Sequence, residues 1–307
     1  MILHHYQVSP FSQKVRSILG FKQARWSSVQ VPTIMPKPDV VALTGGYRRT
    51  PFLQVGADIY CDTALVADVL DQLLPGPTLY PAHCEGAARI LAQWADSTLF
   101  WCAVSYAFQP RGMQNIFPGA TAEHLKAFAA DRGPFRASIS RMSLAEATGS
   151  LTLMVGRLEQ MLSADQPWLL GSEASIADFS AYHPLWFVRN AAGLHELLGK
   201  APRLLAWMDR IAALGDGQVE DMSAAQALEV ARTHAPADSS RRPFVDTHGV
   251  ALGSEVVIQA SDYGMEPTQG QLVLADANEW ALRRHDERAG EVVVHFPRLG
   301  FQLKPLS

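Results

Sequence analysis

The chain has 307 residues, a formal net charge of -4 and a pI near 6.2. This length exceeds one ordinary hydrophobic core, so two or three domains are expected. The acidic balance argues against a nucleic-acid partner, whose phosphates require a concentrated basic surface. Three cysteines with no CxxC pair indicate neither a disulfide framework nor a metal site. No secretory signal or membrane-spanning apolar run is found, so we expect a cytoplasmic protein that does not bind membranes.

The first elements are a strand and the start of a helix. A strand-like run from Ile2 to Tyr6 precedes Ser9-Pro10-Phe11-Ser12, after which apolar residues recur at helical spacing. Proline is tolerated in the first turn of a helix, so this motif is an N-terminal signal. The Ser9 hydroxyl can cap the helix, and Ser12 carries a second hydroxyl close by.

A second strand is predicted around Val29-Gln30-Val31, followed by a proline-rich loop from Pro32 to Gly46. Two short strands then follow Thr50, joined by a turn at Gly56-Ala57-Asp58. A helix is predicted from Thr63 to Leu74. This order of elements matches a thioredoxin-like sheet.

Residues at the two ends of this hairpin, Thr50-Pro51 and Asp62-Thr63, have groups that can bind a small peptide. Pro51 cannot donate to a sheet, so it belongs at the start of a strand, where a cis bond is tolerated. Thr50 then keeps its backbone N–H and C=O free to pair with a small extended peptide. At the helix start, Thr63 offers N–H groups and a hydroxyl to a carboxylate, and Asp62 offers an anion to an ammonium.

Together these two ends resemble the glutathione-binding half of the glutathione S-transferase family. The resemblance implies that Ser9 donates a hydrogen bond to the glutathione thiolate, with Ser12 able to share or take over that role. A simple helix cap remains the alternative for Ser9. Because serine forms no mixed disulfide, thiol–disulfide exchange is disfavoured. The residues implied to bind glutathione are Lys37, Arg49, Thr50, Pro51, Asp62 and Thr63, with Arg48 a further candidate for the glycine carboxylate.

A helical domain is predicted after the break at Pro75-Gly76-Pro77. A long helical pattern from Glu85 to Phe108 is apolar around most of its surface, which is typical of a central helix. An amphipathic helix follows between Leu151 and Leu162. Ser175 and Asp178 have the spacing of a capping box, which the family has in the same place and which serves folding.

The resemblance also places an acceptor pocket beside Ser9. Its implied lining residues are Phe11, Trp101, Tyr106 and His183. Core packing is the alternative for Trp101 and Tyr106, and a hydrogen-bonded core histidine is the alternative for His183.

The rest of the chain departs from the family pattern. A weak helix from Ser223 to His234 precedes a linker from Ala235 to Pro243. Five short β-rich runs separated by turn residues then predict a small all-β module, a sandwich or barrel, that packs on the helical bundle. The expected fold is thus an α/β thioredoxin-like domain, an all-α bundle and an all-β module. The expected boundaries are 1–76, 83–220, 221–245 for helix and linker, and 246–307.

The predicted function is that of an enzyme which activates the glutathione thiol for attack on an apolar electrophilic small molecule. Glutathione is then the co-substrate, no metal is used, and the family implies a homodimer. The alternative is a non-catalytic scaffold that binds a partner or small molecule through the β module, motivated by Asp62-Thr63 where the family usually has Glu-Ser or Gln-Ser. A narrower variant keeps glutathione but isomerises or reduces its substrate.

Overall fold

The computed structural model describes residues 1–135, 142–191, 194–245 and 247–306. It confirms the expected fold class, with a thioredoxin-like domain, a helical domain and a strand-rich C-terminal module in chain order. Asp246, the first residue of the expected module, lies outside the described residues. None of the described helices is long and apolar enough to cross a bilayer.

The thioredoxin-like domain has a four-stranded sheet in which β1 lies between β2 and β3. β1 is parallel to β2 and antiparallel to β3, and β3 forms a hairpin with β4. Successive side chains of a strand point to opposite faces. Leu53 therefore packs in the core shared with the helical domain, while Phe52 packs in the core shared with the C-terminal module. The elements are β1 (Ile2–His5), α1 (Pro10–Phe21), β2 (Arg25–Gln30), α2 (Pro38–Thr44), β3 (Phe52–Val55), β4 (Asp58–Cys61) and α3 (Thr63–Leu73).

Two local predictions in this domain need correction. The second strand begins at Arg25, earlier than the Val29 region. Ser27 and Ser28 also pair with β1, and Arg25 and Trp26 pair with a further strand, Gln218–Asp221. The proline-rich segment contains α2 and is a loop only on either side of it. Pro38 starts this helix at a position where its missing N–H has no cost, and Gly45 ends it with a positive φ of 78°.

The helical domain surrounds α9, which is buried along nearly its whole length. The predicted helical pattern from Glu85 is confirmed as α4, a π-helical turn and α5, but it is not the central helix. In α4 Ile90 is 72% exposed, and only Ala88 and Ala92 are buried. The elements are α4 (Glu85–Trp94), the π turn (Ala95–Leu99), α5 (Phe100–Ala107), α6 (Pro110–Ile116), α7 (Ala122–Phe135), α8 (Leu144–Met161), α9 (Ile176–Asn190) and α10 (Pro202–Ala212).

The predicted capping box at the start of α9 is confirmed. Asp178 accepts hydrogen bonds from the backbone N–H and the hydroxyl of Ser175. It also accepts from Leu169 N and from Trp207 Nε1. The buried carboxylate therefore ties the start of α9 to α10 and to the preceding loop.

The C-terminal module continues the thioredoxin-like sheet. β9 pairs in parallel with β4, giving one ten-stranded sheet in the order β10-β6-β7-β8-β9-β4-β3-β1-β2-β5. The module was expected to pack on the helical bundle, but its main junction is this strand pairing. The remaining elements of the chain are β5 (Gln218–Asp221), at the opposite edge of the sheet, α11 (Ala224–Thr233), and the five strands of the module, β6 (Glu255–Ala260), β7 (Thr268–Ala275), β8 (Glu279–Asp286), β9 (Gly290–Pro297) and β10 (Phe301–Pro305).

The five strands of the module curl on themselves. Phe301 of β10 lies with its ring centroid 5.4 Å from that of Phe296 in β9, although β10 is hydrogen-bonded to β6 at the far end of the sheet. The arrangement resembles a partly closed barrel more than a sandwich.

Polar groups also cross the junction between β4 and β9. His295 Nε2 lies 3.0 Å from Asp58 Oδ1 in β4, and its Nδ1 lies 3.4 Å from Glu279 Oε1 in β8. The imidazole stacks on Tyr60, with 4.4 Å between ring centroids. A buried histidine thus bridges two carboxylates that belong to different parts of the chain.

Candidate active site

A cavity of about 110 Å³, open to solvent, lies where the thioredoxin-like domain, the helical domain and the C-terminal module meet. One part of its lining carries basic groups, and most of the rest is aromatic. The basic residues are Lys37, Arg48, Arg49 and Arg132, the aromatic residues are Tyr6, Phe11, Phe100, Trp101, Phe108, Phe117, Phe128, Phe187 and Tyr263, and the lining is completed by Val8, Ser9, Pro10, Thr50 and Val104.

Ser9 lines this cavity at the start of α1. It is the N-cap residue, and its Oγ accepts a hydrogen bond of 3.2 Å from Ser12 N. The hydroxyl proton remains available to donate to another acceptor. The cap is therefore observed, and it is compatible with the predicted donor role, because a hydroxyl that accepts from the helix can still donate into the cavity.

Ser12 is fully buried and does not line the cavity. Its Oγ has no hydrogen-bond partner among the described residues. Ser9 therefore lies on the cavity wall, whereas the Ser12 hydroxyl lies in the protein interior.

Thr50 and Lys37 lie together on the basic side of the cavity. The Thr50–Pro51 peptide bond is cis, and β3 begins at the next residue. No hydrogen bond from the described residues reaches the Thr50 backbone N–H or C=O. Lys37 Nζ lies 3.5 Å from Thr50 Oγ1 and 5.7 Å from the centre of the Tyr6 ring. An extended peptide along Thr50 would therefore have an ammonium close by.

Lys37 is unusual because it is 3% exposed and has no carboxylate within salt-bridge distance among the described residues. Burial, reinforced by the positive charges of Arg132 and Arg48, lowers the pKa of Lys37 to about 8. A buried ammonium without an anionic partner is costly, and a bound carboxylate would relieve that cost.

Asp62 and Thr63 lie at the start of α3 but do not line the cavity. The Asp62 carboxylate caps its own helix by accepting from Ala64 N at 2.9 Å. The Thr63 hydroxyl accepts from the buried ammonium of Lys14 at 3.2 Å. The polar groups expected to bind the γ-glutamyl end of glutathione thus already have partners within the protein.

Two of the four residues expected in the acceptor pocket line the cavity, namely Phe11 and Trp101. The other two require correction. Tyr106 lies in the helical core and donates its hydroxyl to the Leu194 carbonyl. His183 is fully buried and its Nε2 lies 2.9 Å from Asp96 Oδ1.

Asp96 connects α1 to the helical domain directly behind the cavity. It lies in the π turn and accepts from Lys14 Nζ at 2.6 Å as well as pairing with His183. Although burial raises the pKa of Asp96, Lys14 and His183 hold it below its usual value. The Phe11 ring covers His183, with 4.5 Å between centroids, so the network supports the first turn of α1.

The C-terminal module also contributes to the cavity, which sequence analysis missed. Arg49 donates to the Asp262 carboxylate and to the Tyr263 carbonyl, and its guanidinium lies 3.8 Å from the centre of the Tyr263 ring. The Tyr263 ring packs edge-on against Trp101, with 5.2 Å between centroids. The sequence around Gly264 shows only a turn, so no local signal marks these residues as part of a site.

Arg132 was also missed, since it lies on α7 in a segment without a recognisable motif. It donates to the Tyr6 hydroxyl at 3.3 Å and to the Thr33 carbonyl at 2.8 Å. Within the described residues, no group of three or more His, Cys, Asp or Glu side chains could hold a metal ion.

Comparisons with known proteins agree with this architecture. The family model for the N-terminal domain of glutathione S-transferase matches residues 3–78, and the model for the C-terminal domain matches residues 141–210. A GST-like protein from Pseudomonas syringae is 41% identical, with a TM-score of 0.84, and the match covers 99% of this chain and 98% of that one. The chain belongs to the glutathione S-transferase family.

More distant members show the same fold. A glutathione S-transferase from Rhodospirillum rubrum is 17% identical with a TM-score of 0.52, and the match covers 69% of this chain and 87% of that one. A rice GST in complex with glutathione is 18% identical with a TM-score of 0.50, and the match covers 74% of this chain and 93% of that one. No curated protein matches the chain. Glutathione is the ligand of the family.

Proposed function

We propose that the protein is a glutathione transferase that binds glutathione beside Thr50 and conjugates it to an apolar electrophile. The observation that carries the proposal is the position of the Ser9 hydroxyl, which caps α1 and opens onto one cavity with Thr50 and an aromatic wall. The cysteinyl backbone of glutathione pairs with Thr50, and its glycine carboxylate binds Lys37. Phe11 and Trp101 contact the acceptor.

The chemistry requires a thiolate. A free thiol has a pKa of about 8.5, so most of it is protonated at neutral pH. The Ser9 O–H donates to the sulfur, and the positive end of α1 adds to this stabilisation. The thiol proton leaves to water, and the sulfur lone pair forms a C–S bond with the electrophilic carbon. In substitution the leaving group departs with its bonding pair. In addition the new C–S bond displaces the π pair of the acceptor, and that pair takes a proton from water.

Ser9→Ala tests this role, and Ser12→Ala is its matched control because it removes a hydroxyl one turn away that faces the interior. Loss of one donor to the developing anion lowers kcat by about 100-fold. The glutathione Kd changes by roughly threefold or less, because the substrate thiol gains little from the hydrogen bond. Unchanged kcat in Ser9→Ala, measured with an aromatic chloride acceptor, would contradict the proposal.

The second candidate is the non-catalytic scaffold, and one observation favours it. The Asp62 carboxylate, the Thr63 hydroxyl and the Arg49 guanidinium each have a partner within the protein. Calorimetric titration with reduced glutathione separates the two candidates. Binding with a Kd between micromolar and low millimolar, roughly -4 to -8 kcal/mol, supports the transferase. No heat at two temperatures and no signal in equilibrium dialysis supports the scaffold.

We also propose a cytoplasmic homodimer, as the family implies. Homodimers with twofold symmetry are the commonest assemblies of soluble enzymes. Light scattering of the purified chain tests the assembly, where a mass of one chain contradicts it. Fractionation of the source cells tests the location.

A further inference from the structure

The connection between β6 and β7, residues 261–267, is here called the module loop. It is the part of the C-terminal module that reaches the cavity, and two of its acidic side chains bind arginines of the thioredoxin-like domain. Asp262 pairs with Arg49, and Glu266 Oε1 accepts from Arg48 at 3.1 Å. At the end of the loop, Thr268 Oγ1 donates to the Thr44 carbonyl at 3.2 Å. The loop is therefore anchored to the segment that leads into Thr50.

This anchoring fixes the ring of Tyr263 in the cavity wall. One neighbour is the guanidinium of Arg49, stacked on its face, and the other is the indole of Trp101, packed against it at a right angle. Both contacts are favourable geometries for an aromatic ring. The ring thus lies between the basic part of the lining and the helical wall that carries Trp101.

We propose that Tyr263 is a specificity-determining residue of the acceptor site, supplied by the C-terminal module. The inference rests on the proposed function, because it concerns the acceptor half of the same cavity. It gives the module a role that neither family domain supplies, namely to complete the wall that an aromatic acceptor contacts. Aromatic acceptors that fit against the ring are favoured, and larger ones are excluded by it.

The role of the ring can be separated from that of its hydroxyl. Tyr263→Ala removes the wall, and Tyr263→Phe keeps it without the hydroxyl. Leu299→Ala is the control, since Leu299 is in the same module and 74% exposed. If Tyr263 had a purely structural role, its removal would change the affinity for all ligands alike. If it determines specificity, its removal changes the ratio of the affinities for two ligands.

The experiment measures the affinity of the full chain for S-methylglutathione and S-benzylglutathione by calorimetry, so it needs no turnover. In Tyr263→Ala the preference for the benzyl compound falls by about tenfold, because one aromatic contact is lost. Tyr263→Phe and Leu299→Ala keep the wild-type preference. In Tyr263→Ala, kcat/KM for an acceptor with two fused rings rises relative to kcat/KM for an acceptor with a single ring.

The experiment distinguishes failure of this inference from failure of the proposed function. If wild-type protein binds both compounds and Tyr263→Ala keeps the preference for the benzyl group, the inference is wrong while the proposed function stands. If wild-type protein binds neither compound, the proposed function is wrong and this inference falls with it.

Discussion

Lys14 donates a 2.6 Å hydrogen bond to Asp96, and this ion pair joins α1 to the helical domain behind the candidate site. The Lys14 side chain is fully buried, and the same carboxylate pairs with His183. A buried ion pair contributes little net stability compared with apolar packing, but the loss of one partner leaves the other charge uncompensated. The pair therefore makes the position of α1, and with it Ser9, depend on the helical domain.

Asp96→Asn is expected to lower the free energy of unfolding by about 3 kcal/mol or more, because Lys14 loses its carboxylate partner in the interior. Asp209→Asn is the control. Asp209 pairs with Arg189 on the surface of the same domain, and such exposed pairs contribute about 0.5 kcal/mol. Urea unfolding followed by circular dichroism measures both. Equal effects of the two substitutions would contradict the importance of the buried pair.

Lys37→Met is expected to weaken binding of S-methylglutathione by about 10- to 100-fold, since a charge-assisted hydrogen bond is lost. In wild-type protein the affinity should also fall as pH rises through about 8, the pKa to which burial lowers Lys37, because the neutral amine no longer attracts the carboxylate. The methylated ligand has no thiol to titrate over this range.

Calorimetry between pH 6.5 and 8.5 measures both effects of Lys37. Lys37→Arg is the control that keeps a positive charge throughout the range. It should bind more tightly than Lys37→Met and show little pH dependence. If the wild-type affinity stays constant across this range, or if Lys37→Met binds with full affinity, a group other than Lys37 binds the glycine carboxylate.

His295→Gln is expected to change how stability depends on pH. Burial lowers the pKa of His295, but Asp58 and Glu279 outweigh it and leave the pKa above the ordinary 6.5. The folded protein therefore holds this proton more tightly than the unfolded chain does. The resulting stabilisation is complete below pH 6.5 and is lost as pH rises through the folded-state pKa. The variant should lack this decline.

Urea unfolding from pH 6.5 upward measures the effect of His295→Gln. His285→Gln is the control, because His285 is exposed on the adjacent strand β8. Below pH 6.5 the buried His4 has the opposite effect on the pH dependence of stability. Burial is the largest cause that lowers the pKa of His4, to about 4, so the folded protein keeps this histidine neutral where the unfolded chain binds a proton. Parallel stability curves for wild type and His295→Gln above pH 6.5 would contradict the prediction.

Asp178→Ala should lower the free energy of unfolding by about 3 kcal/mol without changing kcat per folded molecule, because the carboxylate accepts several buried hydrogen bonds. Glu146→Ala removes the same capping motif at the exposed start of α8 and should cost about 1 kcal/mol. Thermal unfolding and kcat at saturating substrate test the pair. A specific loss of kcat in Asp178→Ala would assign Asp178 a role in the site.

Sequence patterns predicted the parts of the fold that short-range chemistry determines. Ser9-Pro10 marks the start of α1, Thr50-Pro51 marks the start of a strand, and Ser175 with Asp178 marks the start of α9. In each case the signal and the structure it specifies lie within a few residues, so no knowledge of the remaining chain is required.

The features that sequence patterns did not predict depend on contacts between distant segments. Arg49 and Tyr263 are more than 200 positions apart, and nothing local to either residue indicates the other. The sequence indicates a hydrogen-bonded core histidine at His183, but it does not identify the partner Asp96, which comes from another helix. The pattern of apolar residues likewise predicts the strands of the module, but it does not predict which strand β9 pairs with.

The parallel pairing of β9 with β4 has a consequence for how the protein can be divided. Three residues of β4 are matched with Val293, Val294 and His295, and Val293 N donates to the Ala57 carbonyl at 3.0 Å. A chain ending before the module would leave this side of β4 as an open sheet edge, and open edges promote self-association. Removal of the module is therefore expected to make the remaining chain self-associate, although the sequence divides the two parts at a linker.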